Sequence, residues 1–381
     1  MRVLIAPDAF GGTLSARQAA AAIARGWART APDDELDLAP LADGGPGFLD
    51  VLHASLGGDL VAATVSGPLR ERMPAAVLVV GRTAYVESAQ ACGLHLCPTE
   101  ARDPTTTTTY GVGELVTTAV AAGASEVVVG LGGSGTNDGG AGLLVALGAT
   151  ATLSSGADAT GLLARGGAGL GELAAVDLHA VRDRLAGVGL VAATDVDSPL
   201  LGARGASAGF GPQKGATPEQ VLALEVALAA YARAVGRRPD GRDPAVALGA
   251  GAAGGLGYAL IAVGASRAAG IGTVMDAVEL RRRIDGCDLV VTGEGCFDWQ
   301  SLRGKVVAGV AALALERALP CLVLAGRVEV GRREYSPTGV CASYAVVDDV
   351  VSRGGVVADA LIGPGDRLAD LAERTARTWS R

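Results

Sequence analysis

The chain lacks the features that would place it in a membrane or on nucleic acid. No apolar run approaches the ~20 residues that a transmembrane helix needs. It has no run of basic residues, and its 40 acidic and 32 basic residues give a net charge of −8. Nucleic acid and anionic membranes are poor partners for such a surface. A small anionic substrate remains compatible with it, because a local site can be positive on an acidic protein.

The sequence also offers little for nucleophilic catalysis or for a metal site built from thiols. None of the three histidines adjoins a Ser or Cys in a nucleophile elbow. The six cysteines form no CxxC pair. The segment 92–97, which contains Cys92, His95 and Cys97, is the only cluster in the sequence that resembles a metal site. It lacks the second group of ligands that such a site needs. Buried thiols are the simpler interpretation of these cysteines.

The common nucleotide-binding signatures are absent. Neither GxxxxGK[ST] nor the HRD and DFG motifs occur, so the chain is neither a P-loop protein nor a protein kinase. One GxGxxG lies at 249–254, but the apolar stretch before it is short, and Asp276 follows no convincing second strand. A close-packed, glycine-rich helix start is therefore favoured over a dinucleotide site.

Lysine is scarce. Of the 32 basic residues only Lys214 and Lys305 are lysines, and both lie beside glycine. Because arginine can supply surface charge everywhere else, a retained lysine indicates a need for a compact ammonium group. Such a group suits phosphate as a point charge. The alternative is that both lysines are surface residues without a special role.

The pattern of short apolar runs and helical stretches predicts an α/β protein with a mainly parallel sheet. The length of 381 residues predicts two domains. The first residues read as a strand that meets Asp8 too soon for a signal peptide, so we expect a cytoplasmic protein, monomer or homodimer. Closely spaced strands at 60–65, 75–80 and 83–87 indicate antiparallel or mixed pairing.

Local signals predict several helices. Ser15 and Gln18 have capping-box spacing at the start of the first helix. Threonines 105–109 precede a helix that starts near Gly113, and capping explains them adequately. A long helix at 218–235 is predicted to bury a face that contains Leu222, Val226, Ala229 and Ala230.

Acidic residues and glycines gather where predicted strands end. Ligands of open α/β sheets bind at the carboxyl ends of the strands. Glycine-rich turns expose N–H groups that bind phosphate, and nearby carboxylates hold Mg²⁺, so the combination predicts phosphoryl transfer. The residues at these ends are Asp8; Asp43, Gly44 and Gly45; Gly132, Gly133, Ser134, Asn137, Asp138 and Gly139; Asp195 and Asp197; and Glu294 and Asp298.

These runs, in this order, resemble the bacterial glycerate kinase family over essentially the whole chain. Their number and order make the resemblance specific. The matching stretches are APD (6–8) with LSA (14–16), ADGG (42–45), YGVGEL (110–115), GGS (132–134) with TNDGGAG (136–142), DVD (195–197) with PL (199–200), FGPQKGA (210–216), GAGAAGG (249–255), and TGEG (292–295) with Asp298 and Lys305.

The resemblance implies a flavodoxin-like domain built from both chain ends, 1–62 plus 286–381. It implies a second α/β domain, similar to restriction-enzyme folds, inserted at 63–285, with substrates in the interdomain cleft. MgATP would be the phosphoryl donor and 2-phosphoglycerate the product. The chain departs from the family at Gly11, where a lysine is usual, at Pro46, where an acid is usual, and at Cys296, where an arginine is usual.

Two hypotheses follow. The first is an active kinase for D-glycerate or another small hydroxy acid. In it Asp195 or Asp8 is the base toward the acceptor hydroxyl, Glu294 or Asp298 holds Mg²⁺, and Lys214 or Lys305 contacts phosphate. The glycine-rich run from Gly132 to Gly139 would bind nucleotide phosphate, and Asp43 to Gly45 the acceptor. The second is a degenerate relative that binds a metabolite without turnover, which the three lost charges favour.

Overall fold

The computed structural model describes residues 1–302 and 304–380 and confirms the α/β class. Its strands are β1 (Arg2–Ile5), β2 (Glu35–Leu38), β3 (Asp59–Ser66), β4 (Arg72–Val80), β5 (Thr83–Glu87), β6 (Glu126–Gly130), β7 (Thr150–Thr152), β8 (Ala175–Asp177), β9 (Gly189–Ala193), β10 (Ser266–Ala268), β11 (Leu289–Phe297), β12 (Cys321–Val328) and β13 (Val340–Ala345).

The helices alternate with these strands along most of the chain. They are α1 (Ala16–Thr30), α2 (Phe48–Leu56), α3 (Ala89–Cys92), α4 (Tyr110–Ala121), α5 (Ala141–Ala146), α6 (His179–Arg184), α7 (Ala206–Phe210), α8 (Pro218–Val235), α9 (Ala252–Ala262), α10 (Gly270–Ala277), α11 (Leu280–Ile284), α12 (Val306–Glu316), α13 (Arg332–Tyr335), α14 (Val346–Ser352) and α15 (Pro364–Trp379). Within the ranges 1–302 and 304–380, none of these helices combines the length and hydrophobicity that crossing a bilayer requires.

The chain forms two compact units. The first contains Met1–Asp43, Asp50–Leu56 and Ile271–Arg381, and the second contains Gly44–Leu49 and Gly57–Gly270. This division assigns 44–49 and 57–62 to the second unit and 271–285 to the first, whereas the sequence predicted the opposite assignment for all three segments. The predicted domain boundaries at residues 62 and 286 therefore stay a prediction.

The first unit is built on a parallel sheet with the order β13-β12-β11-β1-β2. Counted along this unit alone, the strand order is 2-1-3-4-5, which is the flavodoxin-like order. The order reverses between β1 and β11, where Val3 lies opposite Leu289. Ligands of such sheets bind beyond the carboxyl ends of the strands at this reversal, the topological switch point.

The helix α1 shows how the sequence builds this unit. The capping box is present, since Gln18 N–H donates to the Ser15 hydroxyl and Ser15 N–H donates to the Gln18 side chain. Ile23 and Trp27 are fully buried in the core beneath the sheet. A side chain at Gly26 would collide with the backbone oxygen of Ala369, so this glycine lets α1 pack closely on α15.

The second unit is built on a mixed sheet with the order β10-β9-β6-β5-β4-β3. The strands β3, β4 and β5 pair antiparallel, which confirms the pairing predicted from their close spacing. The remaining neighbours pair in parallel. Their carboxyl ends carry the polar turns that the sequence analysis singled out.

The predicted inner face of α8 is wrong, although the bounds of this helix are as predicted. Leu222 and Val226 are each 69% exposed, whereas Leu228 and Tyr231 are buried. A side chain built at Gly139 would come within 3 Å of both Leu228 and Tyr231. The helix therefore packs with this face on a glycine-rich segment. The buried Leu224, Leu228 and Tyr231 have i, i+4, i+7 spacing, so periodicity allowed this face as well as the predicted one, and the tertiary contact decides between them.

The glycine run at 249–255 packs against the turn that follows β6, which confirms the close-packed reading. The residues before it form a 3-10 turn, Pro244–Val246, and no strand as a dinucleotide site requires. Gly254 adopts φ of 68°, and a side chain there would collide with the Thr136 carbonyl oxygen. Its own carbonyl accepts a hydrogen bond of 3.0 Å from Gly139 N–H.

Gly254→Ala should destabilise the protein far more than Gly187→Ala. Both glycines have positive φ, at 68° and 78°, but a Cβ at Gly187 has no atom within 4 Å. We expect about 1 kcal/mol for the backbone strain at Gly187. At Gly254 the additional collision raises the loss to about 3 kcal/mol or more. Urea unfolding of both variants measures it, and equal losses would show that the packing against Thr136 is not essential.

Candidate active site

Acidic side chains meet at the switch point of the first unit. Asp8 follows β1, and its N–H donates to the Gly293 carbonyl at 2.8 Å, so the two chains stay paired past the end of β1. Glu294 lies within β11, in register with Ala325 of β12. The prediction that Glu294 follows the end of its strand is therefore wrong. The Gly-Glu-Gly motif is extended strand and no turn.

The glycines of this motif allow the backbones to approach closely. A side chain at Gly293 would collide with the Leu324 carbonyl oxygen. A side chain at Gly295 would lie 3.1 Å from the backbone nitrogen of Gly11. Glu294 is thus held between two positions that need glycine, which fixes its backbone next to the segment that follows Asp8.

Asp8 and Glu294 hold protons more tightly than usual. Burial raises the pKa of Asp8 well above its usual range, Asp43 and Glu294 raise it further, and the N–H of Ala9 and the charge of Lys305 oppose the rise. Burial also raises the pKa of Glu294 to about 7, against the opposing effects of Ser301 and Lys305. A cation would relieve this repulsion.

Glu294 suits a divalent metal ion. Its Oε1 atom is buried and has no hydrogen-bond partner among the described residues. Mg²⁺ prefers carboxylate oxygen atoms, and a second carboxylate beside Glu294 would complete a hard, anionic ligand set. The residues present therefore fit the ion that phosphoryl transfer needs.

Asp298, the other predicted metal ligand, has a structural use. Its Oδ1 accepts the N–H groups of Gln300 at 2.7 Å and Ser301 at 3.2 Å, which closes the turn after β11. Its ligand atoms lie within 4.8 Å of those of Cys296 and Glu329. The role of Asp298 in holding Mg²⁺ stays a prediction.

Lys305 begins α12 and faces the same cavity as Asp8 and Glu294. Within residues 1–302 and 304–380, no side chain caps the N–H groups of this helix start. A helix N-terminus carries a partial positive charge, and the ammonium group adds a full one. This end of α12 can therefore accept a phosphate oxygen.

A second polar cluster forms in the second unit, around the glycine-rich loop (residues 132–140). Lys214 is only 2% exposed, and its Nζ donates to Ser134 Oγ at 3.0 Å and to the Thr136 carbonyl at 2.7 Å. Burial lowers the pKa of Lys214 to about 8, which Asp138 partly opposes. This lysine holds the loop in shape, a use that its position in the sequence does not reveal.

Asp138 organises the same loop. Its buried carboxylate accepts the N–H and hydroxyl of Thr109 and the N–H groups of Gly140 and Gly142. The Thr109 hydroxyl in turn accepts Leu143 N–H. Thr109 thus anchors the loop, and the prediction that it caps α4 with its side chain is wrong. The helix starts at Tyr110, three residues before the predicted position.

Asn137 is the residue of this loop best suited to a ligand. It is fully buried, and its Nδ2 donates to Ser207 Oγ at 2.9 Å. Its Oδ1 is buried and has no partner among the described residues. Gly133 and Gly139 adopt φ of 70° and 61°, so the loop takes a path that side-chain-bearing residues rarely adopt.

Two further predicted site residues, Asp43 and Gly44, interact with residues of the cluster in their own unit. Gly44 accepts a hydrogen bond from Gly132 N–H, and Asp43 belongs with Asp8 and Glu294 electrostatically. Asp195 follows β9, and Asp197 forms an ion pair of 2.7 Å with Arg267. The structure therefore brings together Asp8, Asp43, Glu294 and Lys305 in one cluster, and Ser134, Asn137, Asp138 and Lys214 in another.

Sequence reasoning missed Glu87 and Arg327. The buried Glu87 accepts the N–H groups of Gly47 and Leu49 at the start of α2. Arg327 lies opposite Cys296 in the β11–β12 pair, with its guanidinium 4.0 Å from the thiol, and lines the cavity that also contains Gly11. Only the strand register, which a single sequence does not display, could have located this arginine.

Known proteins match this chain over its full length. The family model described as "Glycerate kinase family" covers residues 3–380. A Bacillus subtilis protein named glycerate kinase is 39% identical, over 99% of this chain and 96% of that protein. Escherichia coli glycerate 2-kinase is 38% identical, over 99% and 98%. A crystal structure of a protein provisionally named glycerate kinase 2, from Salmonella typhimurium LT2, matches with a TM-score of 0.78 and 39% identity over 99% and 98%.

Glu294→Gln should change how stability depends on pH. Folding raises the pKa of Glu294 to about 7, so the protonated side chain contributes to the free energy of unfolding of the wild type. This contribution is fully present below the unfolded pKa of 4.5 and is lost as the pH rises through 7. The glutamine variant does not titrate there. Without metal ions, its stability relative to wild type should increase by about 2 kcal/mol between acidic and mildly alkaline pH.

Chemical denaturation across this pH range measures the difference. Glu100→Gln is the control for the loss of one exposed carboxylate. Mg²⁺ should raise the melting temperature of the wild type at alkaline pH and leave that of Glu294→Gln nearly unchanged. A difference that stays constant with pH would contradict the burial argument.

Proposed function

The chain belongs to the glycerate kinase family, and from this we propose that it transfers the γ-phosphoryl group of MgATP to a hydroxyl of D-glycerate, giving 2-phosphoglycerate. The observation that carries the proposal is the carboxylate cluster beside Lys305 at the switch point of the first unit. Phosphoryl transfer needs positioning and charge stabilisation more than covalent chemistry. This cluster supplies carboxylates that can hold a metal ion and an ammonium group that can contact phosphate.

Asp8 is the preferred general base of the two candidates. Its raised pKa makes its carboxylate a stronger proton acceptor than an exposed aspartate. In the proposed reaction it accepts the proton of the attacking hydroxyl late in the transfer. Asp195 remains the alternative, since nothing in its surroundings excludes it.

Glu294 would hold Mg²⁺ together with a neighbouring carboxylate. When bound, the ion neutralises charge on the phosphate oxygens. The protein's own contribution is to keep the Glu294 Oε1 atom buried and without a competing donor, so that the ligand is in place before the ion arrives.

Lys305 and Lys214 have different roles in this proposal. Lys305, at the start of α12, places its ammonium on the transferring phosphate. Lys214 shapes the glycine-rich loop from inside. That loop is the predicted phosphate site, and the buried Asn137 Oδ1 at its centre can accept a hydrogen bond from a substrate hydroxyl. The cytoplasmic location and the monomeric or dimeric state stay predictions.

The purified protein should release ADP from MgATP when D-glycerate is added, and the organic product should be 2-phosphoglycerate. Coupled detection of ADP and phosphorus NMR of the product measure both. Asp8→Asn is the matched control and should lower kcat by at least about a hundredfold. If no acid in a panel of small hydroxy acids raises ADP release while calorimetry still shows binding, the chain is a metabolite-binding relative without turnover.

Lys305→Arg and Lys214→Arg should separate the two lysines. Arginine keeps the charge but is wider and planar, so at Lys305 it should misplace the contact with the transferring phosphate. We expect kcat to fall about a hundredfold, equivalent to ~3 kcal/mol, with an unchanged melting temperature. At the buried Lys214 the larger group should also lower the melting temperature by several degrees. Wild-type turnover in Lys305→Arg would remove Lys305 from the mechanism.

A further inference from the structure

A cavity of about 510 Å³ in the first unit adjoins the carboxylate cluster. This volume lies within the range of small-molecule sites, ~300–1,000 Å³. A three-carbon acid such as glycerate would fill only a small part of it. The cavity therefore has room for a larger ligand.

The lining of this cavity has two chemically different parts. One part is polar and charged and contains Asp8, Glu294, Lys305 and Arg327. The other part is apolar and comes from α14, the 3-10 segment Val357–Leu361 and the start of α15. The apolar residues are Val346, Val347, Val357, Ala358, Ala360, Leu361, Pro364 and Leu368.

Part of the apolar wall is exposed. Val357 and Leu361 line the cavity with 58% and 68% of their surface accessible. Large apolar side chains that cluster around a concave surface mark a site that a ligand covers. An uncovered wall of this kind costs free energy, which a flat apolar ligand would recover on binding.

The geometry points to the adenine ring of the nucleotide as the occupant of this apolar wall, an inference that rests on the proposed function. Of the two proposed substrates only ATP carries a flat ring with apolar faces. Glycerate consists of polar groups on three carbons and gains nothing from valine and leucine. The charged end suits the phosphates, since Lys305 and the start of α12 lie at that end.

This assignment also orients the nucleotide within the first unit. The adenine ring would contact the segment Val357–Leu361, and the phosphate chain would extend toward Lys305 and the Glu294 carboxylate. The base would thus be recognised by residues that follow α14.

Leu361→Asp and Ile362→Asp test this inference as a matched pair. The two residues are neighbours with nearly equal exposure, 68% and 66%, and only Leu361 lines the cavity. A carboxylate at Leu361 would replace the apolar contact with the base and lie at the end of the cavity away from the proposed phosphate position. We expect the KM for ATP and the Kd for ADP to rise at least about tenfold in Leu361→Asp, with the KM for D-glycerate unchanged.

Ile362→Asp should leave all three constants close to wild type. Binding of tripolyphosphate, which has no base, should weaken much less than binding of ADP in Leu361→Asp. Equal effects of the two variants, or a rise in the KM for D-glycerate alone, would overturn the assignment. Calorimetry with ADP keeps the test valid if the wild type shows no turnover, so a failure of the proposed kinase activity is distinguishable from a failure of the adenine site.

Discussion

The pairing of β1 with β11 determines where the acidic groups of the candidate site lie. Because the two strands are parallel, Asp8, which follows β1, and Glu294, which lies in β11, are placed at the same end of this strand pair, where the strand order reverses. The backbone contact from Asp8 to Gly293 continues this pairing into the motif itself. Burial then raises the pKa of both acids, so a single strand register produces both the geometry and the electrostatics of the cluster.

Close backbone approach has a similar role in the second unit. The loop that follows β6 contacts the 249–255 segment at distances that only glycine permits, and Lys214 and Asp138 hold it from inside. Burying a lysine whose hydrogen bonds go to neutral oxygens is costly, and the lowered pKa of Lys214 reflects that cost. The loop shape is therefore maintained at an expense in stability, as is common at functional sites.

The sequence predicted what depends on local chemistry and missed what depends on tertiary contact. The capping box at Ser15 and the helix bounds of α8 follow from signals within a few residues, and the structure confirms both. The inner face of α8 was wrong, because the contact that selects it is with Gly139, far along the chain. The site residues gathered at strand ends were predictable from topology. The length of β11 and the place of Arg327 were not, because both depend on the register with β12.

The charge balance of the first-unit cluster links metal and nucleotide binding. Asp8, Asp43 and Glu294 face one nearby lysine, and with a pKa of about 7 Glu294 is partly protonated at neutral pH. A divalent ion would displace that proton, so its affinity should rise with pH. A nucleotide that carries the ion brings positive charge to the carboxylates and phosphate to Lys305 in the same step. The ion alone would neutralise only the carboxylates, and the phosphate chain alone would pair only with Lys305. The cluster therefore favours the metal–nucleotide complex over its separate parts.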